Sequence, residues 1–146
     1  MVTVALFGAG GKMGCRLTDN LSRCDLFETL YVETGEQGLA NLAHRGLAAT
    51  SADDALPQAD VVILALPDTL LGKVSHEVAP KMKPGAMLMT LDPAAAHAGV
   101  LASREDLVLF VTHPCHPPIW NDEEGDARRD FFGGIKAKQS IVSAVV

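Results

Sequence analysis

Long apolar runs, paired cysteines and a surplus of basic residues are all missing from this sequence. The longest apolar run, residues 61–67, is far too short to span a membrane, and the net charge of −6 argues against a nucleic-acid-binding surface. The three cysteines show no C-x-x-C spacing and fit a reducing compartment. The N-terminus lacks the basic region and cleavage site of a signal peptide. We therefore expect a cytoplasmic protein whose partners include neither a membrane nor a nucleic acid.

The composition that remains is that of one globular domain. Apolar residues make up 48% and charged residues 21% of the 146 residues, which is enough for one real core. Strand-like apolar stretches alternate with helix-like stretches, so the sequence predicts an α/β fold with a doubly wound, mostly parallel sheet. The predicted strands cover 2–7, 29–33, 47–50, 87–91, 107–112 and 138–146, with one more within 59–68, and the predicted helices cover 12–21, 35–45, 70–82 and 94–103.

A glycine-rich loop joins the first predicted strand to the first predicted helix. Its glycines permit a tight turn, close approach of a pyrophosphate to backbone N–H groups, and packing of the helix on the strand. The commonest dinucleotide pattern would need glycine where Met13 stands. A glycine turn that binds nothing is the alternative, and the flanking strand and helix disfavour it. The loop predicts a Rossmann-type dinucleotide site made by Gly8, Ala9, Gly10, Gly11, Lys12, Met13 and Gly14.

An acidic residue stands where such a site needs one. Glu33 ends the second predicted strand, about twenty residues past the loop, where a carboxylate accepts the ribose hydroxyls and repels a 2′-phosphate. The sequence therefore predicts NAD as cofactor, with NADP disfavoured; a solvated strand-end glutamate is the alternative. The apolar stretch within 59–68 predicts a central strand whose end brings Leu66, Pro67 and Asp68 against the cofactor.

Three polar side chains follow later strands, at the edge of the sheet where ligands bind. Asp92 either faces the site, where it would bind substrate, or caps the next helix, and the sequence favours neither. His113 is the first candidate for general acid or base and His116 the second, because imidazole titrates near neutral pH. The alternative for both histidines is that they only hydrogen-bond the backbone of their own loop and have no catalytic role. Three prolines between residues 114 and 118 predict a stiff loop there, neither helix nor strand.

The sequence offers two arginines as candidates for binding the substrate carboxylate and shows no spacing typical of a metal site. Arg128 or Arg129 is predicted to hold a substrate carboxylate as a fork, with a solvated ion pair as the alternative for each. Zinc-site spacings are absent, so we expect no structural metal. The sequence leaves open whether a divalent ion takes part in catalysis.

Several stretches of the sequence resemble known proteins. ADVVILALPDT, at 59–69, is typical of the N-terminal cofactor domain of the 6-phosphogluconate/3-hydroxyisobutyrate/prephenate dehydrogenase superfamily. THPCHPPIWNDE, at 112–123, with FFGG and AKQSIVSA behind it, is similar to phosphogluconate-dehydrogenase-like proteins that include sugar-acid oxidoisomerases. The loop GAGGKMG alone also resembles dihydrodipicolinate reductase. The stretches at 59–69 and 112–123 favour the dehydrogenase superfamily over dihydrodipicolinate reductase.

The resemblance implies an activity and a larger protein. It implies NAD-linked oxidation of a hydroxy acid or branched sugar acid, coupled to rearrangement of the carbon skeleton. His113 stands where the superfamily's histidine orients or deprotonates the substrate hydroxyl. The superfamily also has a helical C-terminal domain that completes the pocket and a homodimer, and no stretch here matches it. We therefore expect residues 1–146 to be the NAD(P)-binding domain of a two-domain enzyme. The alternatives are a reductase of the dihydrodipicolinate type and a non-enzymatic nucleotide-sensing module.

Overall fold

The computed structural model of the protein describes residues 1–115, 122–129 and 140–146, which form a six-stranded sheet flanked by helices. The strands are β1 (Val2–Phe7), β2 (Phe27–Val32), β3 (Val61–Leu64), β4 (Met87–Thr90), β5 (Val108–Cys115) and β6 (Ser140–Val145). The α-helices are α1 (Lys12–Leu21), α2 (Glu36–Ala43), α3 (Ala52–Ala55), α4 (Asp68–Val78) and α5 (Ala94–His97), and two 3₁₀ helices span Ala79–Lys81 and Gly125–Arg129. No helix of the described residues is long and apolar enough to cross a bilayer.

The strand order β2-β1-β3-β4-β5-β6 confirms the doubly wound, mostly parallel sheet. Strands β1 to β5 run parallel, and β6 pairs antiparallel to β5. Phe7 pairs with both Val32 and Leu64, so β2, β1 and β3 end together. The chain leaves β1 for β2 on one side and returns to β3 on the other, which makes this edge the topological switch point where α/β sheets bind ligands.

Alternate residues of β1 build the core on the two faces of the sheet. Ala5 and Phe7 pack in one cluster with Leu71 of α4, and Val4 and Leu6 pack in the other. These side chains are at most 7% exposed, as expected for a strand covered by helices on both faces. The core therefore holds the end of β1, and the loop after it, in a fixed place.

The prediction of a strand at 47–50 is wrong. This segment passes the outer edge of β2, and the N–H of Thr50 donates to Tyr31 O at 2.7 Å, but no ladder forms. The segment follows a tight turn after α2, in which Gly46 has a φ of 71°. The sheet consequently ends at β2 in the described part of the chain.

The helix predicted at 94–103 is also too long, since α5 ends at His97. Gly99, with a φ of 65°, donates to Ala96 O, and Val100 donates to Ala95 O, which is the paired bond pattern of a glycine-terminated helix. The helix predicted at 70–82 begins earlier, with Pro67 at its N-cap position, and gives way to a 3₁₀ turn containing a proline. Asp68 therefore lies in the first turn of α4 and is not its cap.

The prolines after residue 113 do not exclude a strand, contrary to the prediction. β5 continues through Cys115 and pairs His113 with Val142 of β6. The ladder between β4 and β5 ends at Thr90 and Val111, so the missing N–H of a proline beyond that point costs no bond to β4. The strand predicted at 138–146 is β6, of which residues 138 and 139 lie outside the described residues.

Candidate dinucleotide and substrate site

The glycine loop turns sharply and lies directly against α1. Gly8 has a φ of 71°, a conformation that favours glycine. A Cβ on Gly14 would overlap Gly8 O and the backbone of Ala9, so the start of α1 packs on the loop only because residue 14 has no side chain. This contact explains the spacing of the motif. The close approach is made one residue later than in the common pattern, at Gly14, and Met13 need not be glycine.

The start of α1 offers backbone N–H groups to a ligand. The N–H of Cys15 bonds Gly11 O at 2.8 Å, so the N–H groups of Met13 and Gly14, earlier in the first turn, have no intrahelical acceptor. A Cβ on Gly11 would meet only Gly8 O within 4 Å. The helix dipole adds positive charge at the same place. The loop residues therefore fit the pyrophosphate of a dinucleotide.

Polar side chains hold the loop from behind. Asn41 Nδ2 of α2 donates to Gly10 O at 2.8 Å, and Thr18 Oγ1 of α1 donates to Ala9 O at 3.1 Å. The Cys15 thiol also bonds Gly10 O, at 3.3 Å. Sequence reasoning missed these supports. Thr18 lies one turn after Gly14, fully buried on the loop-facing side of α1, and this burial, which the sequence does not show, is what marks it.

An ion pair joins the two helices that carry these supports. Arg45, just after α2, bonds Asp19 of α1 through Nε at 2.7 Å, and its Nη1 donates to Asn41 O. The Arg45 hydrogen bond lowers the pKa of the Asp19 carboxyl, and the same bond raises the pKa of Arg45. The pair therefore ties α1 to α2 behind the glycine loop.

Glu33 lies at the other side of the loop, as predicted. Its Oε2 accepts the N–H of Gly10 at 3.0 Å, and its Oε1 accepts the N–H groups of Thr34 and Gly35, both at 2.9 Å. A Cβ on Gly38 would overlap the Glu33 side chain, so α2 leaves room for the carboxylate. Three backbone donors consequently fix one negative charge beside the loop.

A cavity of about 320 Å³ opens beside Glu33. Apolar side chains from α3 and α4 form much of its wall, and Gly8 and Glu33 form its rim. Lys81 also lines it, and the Lys81 ammonium pairs with Asp53 Oδ1 at 2.6 Å. An apolar slot that ends at a carboxylate suits an adenine ring joined to a ribose.

A second cavity, of about 480 Å³, brings eight of the sixteen predicted site residues together. Leu66 lines both cavities, so the two are neighbours along the loop and the end of β3. The residues lining the second cavity are Gly11, Lys12, Met13, Ala65, Leu66, Pro67, Asp68, Leu91, Asp92 and His113. Glu33 lines the first cavity and His113 the second, an arrangement that suits a dinucleotide with a substrate beyond it.

Asp92 and His113 are close to one another in this second cavity. Asp92 Oδ2 is 3.5 Å from His113 Nδ1, and the side chains are 27% and 46% exposed. Asp92 Oδ1 accepts the N–H of Ala94 at 2.7 Å. Asp92 therefore lines this cavity and bonds the turn before α5, but the N-cap position of α5 is Pro93 and no side chain caps the helix. The role of Asp92 in the site stays a prediction.

Two of the predicted groups are not placed in the site. Arg128 and Arg129 are exposed on the 3₁₀ helix Gly125–Arg129, and neither is among the described residues that line the second cavity. His116 lies outside the described residues. The roles given to these three residues stay predictions. Within the described ranges, no three His, Cys, Asp or Glu side chains gather as metal ligands would.

Comparison with known proteins gives a family and close relatives. The family model described as "Acetohydroxy acid isomeroreductase, NADPH-binding domain" matches residues 2–120. The D-apionate oxidoisomerase of Cupriavidus necator is 54% identical over 145 residues, which is 98% of this chain and 52% of that protein. The D-apionate oxidoisomerase of Rhizobium rhizogenes is 51% identical over 148 residues, which is 100% of this chain and 54% of that protein. The chain thus spans about half the length of these curated relatives.

A solved structure matches the whole described fold. The crystal structure of a semialdehyde dehydrogenase NAD-binding protein from Cupriavidus necator, in complex with calcium and NAD, superposes with a TM-score of 0.88 at 53% identity. The match covers 100% of this chain and 53% of that one. These findings confirm the Rossmann-type fold, and the relatives' names confirm the predicted resemblance to oxidoisomerases.

Proposed function

Because the chain belongs to the family of acetohydroxy acid isomeroreductase NADPH-binding domains, we propose that residues 1–146 form a domain that binds a nicotinamide dinucleotide, specifically NAD. The residues that would hold it are the loop from Gly8 to Gly14, Glu33, and the segment Leu66–Asp68. The observation that carries the proposal is the joint placement of Glu33 and the glycine loop at the switch point of the sheet.

The choice of NAD rests on the Glu33 carboxylate. It already occupies the N–H groups of Gly10, Thr34 and Gly35, which would otherwise attract an anion. A 2′-phosphate would meet this negative charge at short range, and residues 34–38 contain no lysine or arginine to offset it. The family is described by NADPH, whereas the solved structure with 53% identity contains NAD, and Glu33 favours the latter.

We propose that the whole protein is an NAD-dependent oxidoreductase that acts on the CH–OH group of a hydroxy acid, with D-apionate as substrate. The support is the name of relatives that are 54% and 51% identical. A dinucleotide held by these residues would supply the hydride acceptor for oxidation of the carbinol carbon to a carbonyl. His113 takes the hydroxyl proton, because it lines the cavity next to the glycine loop. Arg128 or Arg129 would hold the carboxylate.

A second unit completes this proposal. We propose a cytoplasmic homodimer that is assembled through a helical C-terminal domain, as the family resemblance implies. Supporting it, Ile141 and Val142 are 65% and 66% exposed although they lie on opposite faces of β6. An edge strand with apolar residues bare on both faces is unusual unless another element covers it.

The reaction is tested in a chimera that joins residues 1–146 to the second half of the Cupriavidus necator relative. With NAD and D-apionate, we expect NADH to form. His113→Gln should lower kcat by about 10²–10⁴-fold, the usual contribution of a general base, while NAD affinity stays within about twofold. The matched control, His76→Gln, changes an exposed histidine on α4 and should leave kcat unchanged. Undiminished turnover in His113→Gln would remove His113 from the mechanism, and NAD binding without any turnover would favour a nucleotide-sensing module.

A further inference from the structure

The β4–β5 ladder sets Asp92 and His113 opposite one another. The two parallel strands pair residue 90 with residue 111, and the same register carried two residues further aligns positions 92 and 113. The measured separation of 3.5 Å between Asp92 Oδ2 and His113 Nδ1 agrees with this alignment. The sheet itself therefore creates the pair, with no need for a mobile loop to bring the side chains together.

Asp92 is fixed at two points besides His113. Its Oδ1 accepts the N–H of Ala94 at 2.7 Å, and its backbone carbonyl accepts Thr90 Oγ1–H at 3.2 Å. Thr90 is fully buried at the end of β4. With the backbone and one carboxylate oxygen held, the orientation of the carboxylate is set, and its other oxygen faces the imidazole.

The imidazole is buried on one edge and open on the other. His113 Nδ1 has almost no exposed surface, whereas the side chain as a whole is 46% exposed. The exposed part of the side chain therefore lies away from Nδ1, and His113 lines the cavity shared with the glycine loop. A carboxylate at Nδ1 favours the tautomer with its proton on Nδ1, and in that tautomer Nε2 carries the lone pair that a general base uses.

We propose that Asp92 is a positioning residue that holds His113 in the Nδ1–H tautomer, with Thr90 fixing Asp92 in turn. This rests on the proposed function of His113 as the base, and it replaces the predicted role of Asp92 in binding substrate. The 3.5 Å separation is long for a hydrogen bond, and it is of the kind that tightens when a substrate is bound.

The tautomer is measured directly by long-range ¹H–¹⁵N correlation NMR on the ¹⁵N-labelled chain, at a pH where histidine rings are neutral. The His113 signals are assigned by their loss in His113→Gln. In the wild type we expect the proton on Nδ1. In Asp92→Asn we expect it on Nε2, because the amide keeps an oxygen for the Ala94 N–H and turns its NH₂ toward Nδ1.

Two further variants give the matched comparison. Asp68→Asn makes the same change of charge in the same cavity and should leave the proton on Nδ1. Thr90→Val removes only the hydroxyl that holds Asp92 and should give a mixture of both tautomers. A wild-type spectrum with the proton on Nε2 would overturn the proposal, even if a variant fails to fold. The same tautomer change in Asp68→Asn would also overturn it, because a general effect of charge would then explain the result.

This experiment separates the proposal from the proposed function, because it uses neither cofactor nor substrate. In the chimera, Asp92→Asn should lower kcat at least tenfold with KM within about twofold, and a substrate ligand would raise KM instead. The expected tautomers without any oxidation of D-apionate would leave the Asp92–His113 pair standing and refute the reaction. Oxidation with the proton on Nε2 would do the reverse.

Discussion

The glycine-loop half of the site and the Asp92–His113 half lie on one edge of the sheet but are held in different ways. The loop is fixed by backbone contacts, by Asn41 and Thr18 behind it, and by Glu33 beside it. The Asp92–His113 half depends on side chains that are 27% and 46% exposed. We therefore expect nucleotide binding to depend on the glycine-loop half, which is held rigidly, and the chemical step to depend on groups that are open to one side.

The largest expected effect comes from a substitution that disrupts the glycine loop. Gly14→Ala puts a Cβ into the position of Gly8 O and should abolish NAD binding while lowering the free energy of unfolding by about 1–3 kcal/mol. Calorimetric titration and urea unfolding measure the two effects. Gly11→Ala is the matched control for stability, because its Cβ meets only Gly8 O, at 3.2 Å. Equal NAD affinity in Gly14→Ala and the wild type would refute the tight packing of loop on helix.

A smaller change tests the support behind the loop. Asn41→Ala removes the side-chain bond to Gly10 O and should weaken NAD binding by several-fold, since one such hydrogen bond contributes about 1 kcal/mol. Glu36→Ala, on the same helix and exposed, is the control and should bind NAD like the wild type. An unchanged affinity in Asn41→Ala would show that the loop holds its shape without α2.

The Asp92–His113 half should show the opposite behaviour in stability measurements. His113→Gln changes a side chain that is 46% exposed, so the free energy of unfolding should change by less than about 0.5 kcal/mol. Urea unfolding of the two proteins side by side measures this. A loss as large as that of Gly14→Ala would remove the distinction between a structurally fixed half and an open one.

Another small expected effect depends on pH. The Arg45 hydrogen bond lowers the pKa of Asp19, so the ionised pair stabilises the fold above the unfolded-state pKa of the carboxyl and is lost as the pH falls through its lowered value. Asp19→Asn should reduce the free energy of unfolding at neutral pH by under about 1 kcal/mol, because Asp19 is 46% exposed. In urea unfolding across acidic pH, the difference between the proteins should shrink to zero. A constant difference at all pH values would contradict the pairing.

The sequence predicted those parts of the molecule that local patterns determine. Val2–Phe7 and Lys12–Leu21 lie where the apolar run, the glycines and the helical spacing put them. The prediction of a strand at 47–50 failed because this short segment meets β2 through the bond from Thr50 to Tyr31 and forms no ladder with it. The continuation of β5 through Pro114 could not be found locally, because it depends on where β4 ends and on β6.

In the site too, the sequence predicted what local spacing determines and missed what tertiary packing determines. Glu33 and the loop residues are set by spacing along the chain, and the cavities contain them. The contact of Asp92 with His113 needs the register of two strands, which the sequence does not state. Asn41 and Thr18 support the loop through the tertiary packing of α2 and α1, so no sequence motif indicates them.

The most direct test of the NAD site is calorimetric titration of the chain with NAD and NADP, for the wild type, Glu33→Gln and Glu36→Gln. Glu36 is the matched control, an exposed glutamate in the first turn of α2. We predict that the wild type binds NAD at least tenfold more tightly than NADP, that Glu33→Gln loses most of this preference, and that Glu36→Gln keeps it. Equal binding of NAD and NADP by the wild type, or the same preference in Glu33→Gln, would contradict a dinucleotide site built on the glycine loop and Glu33.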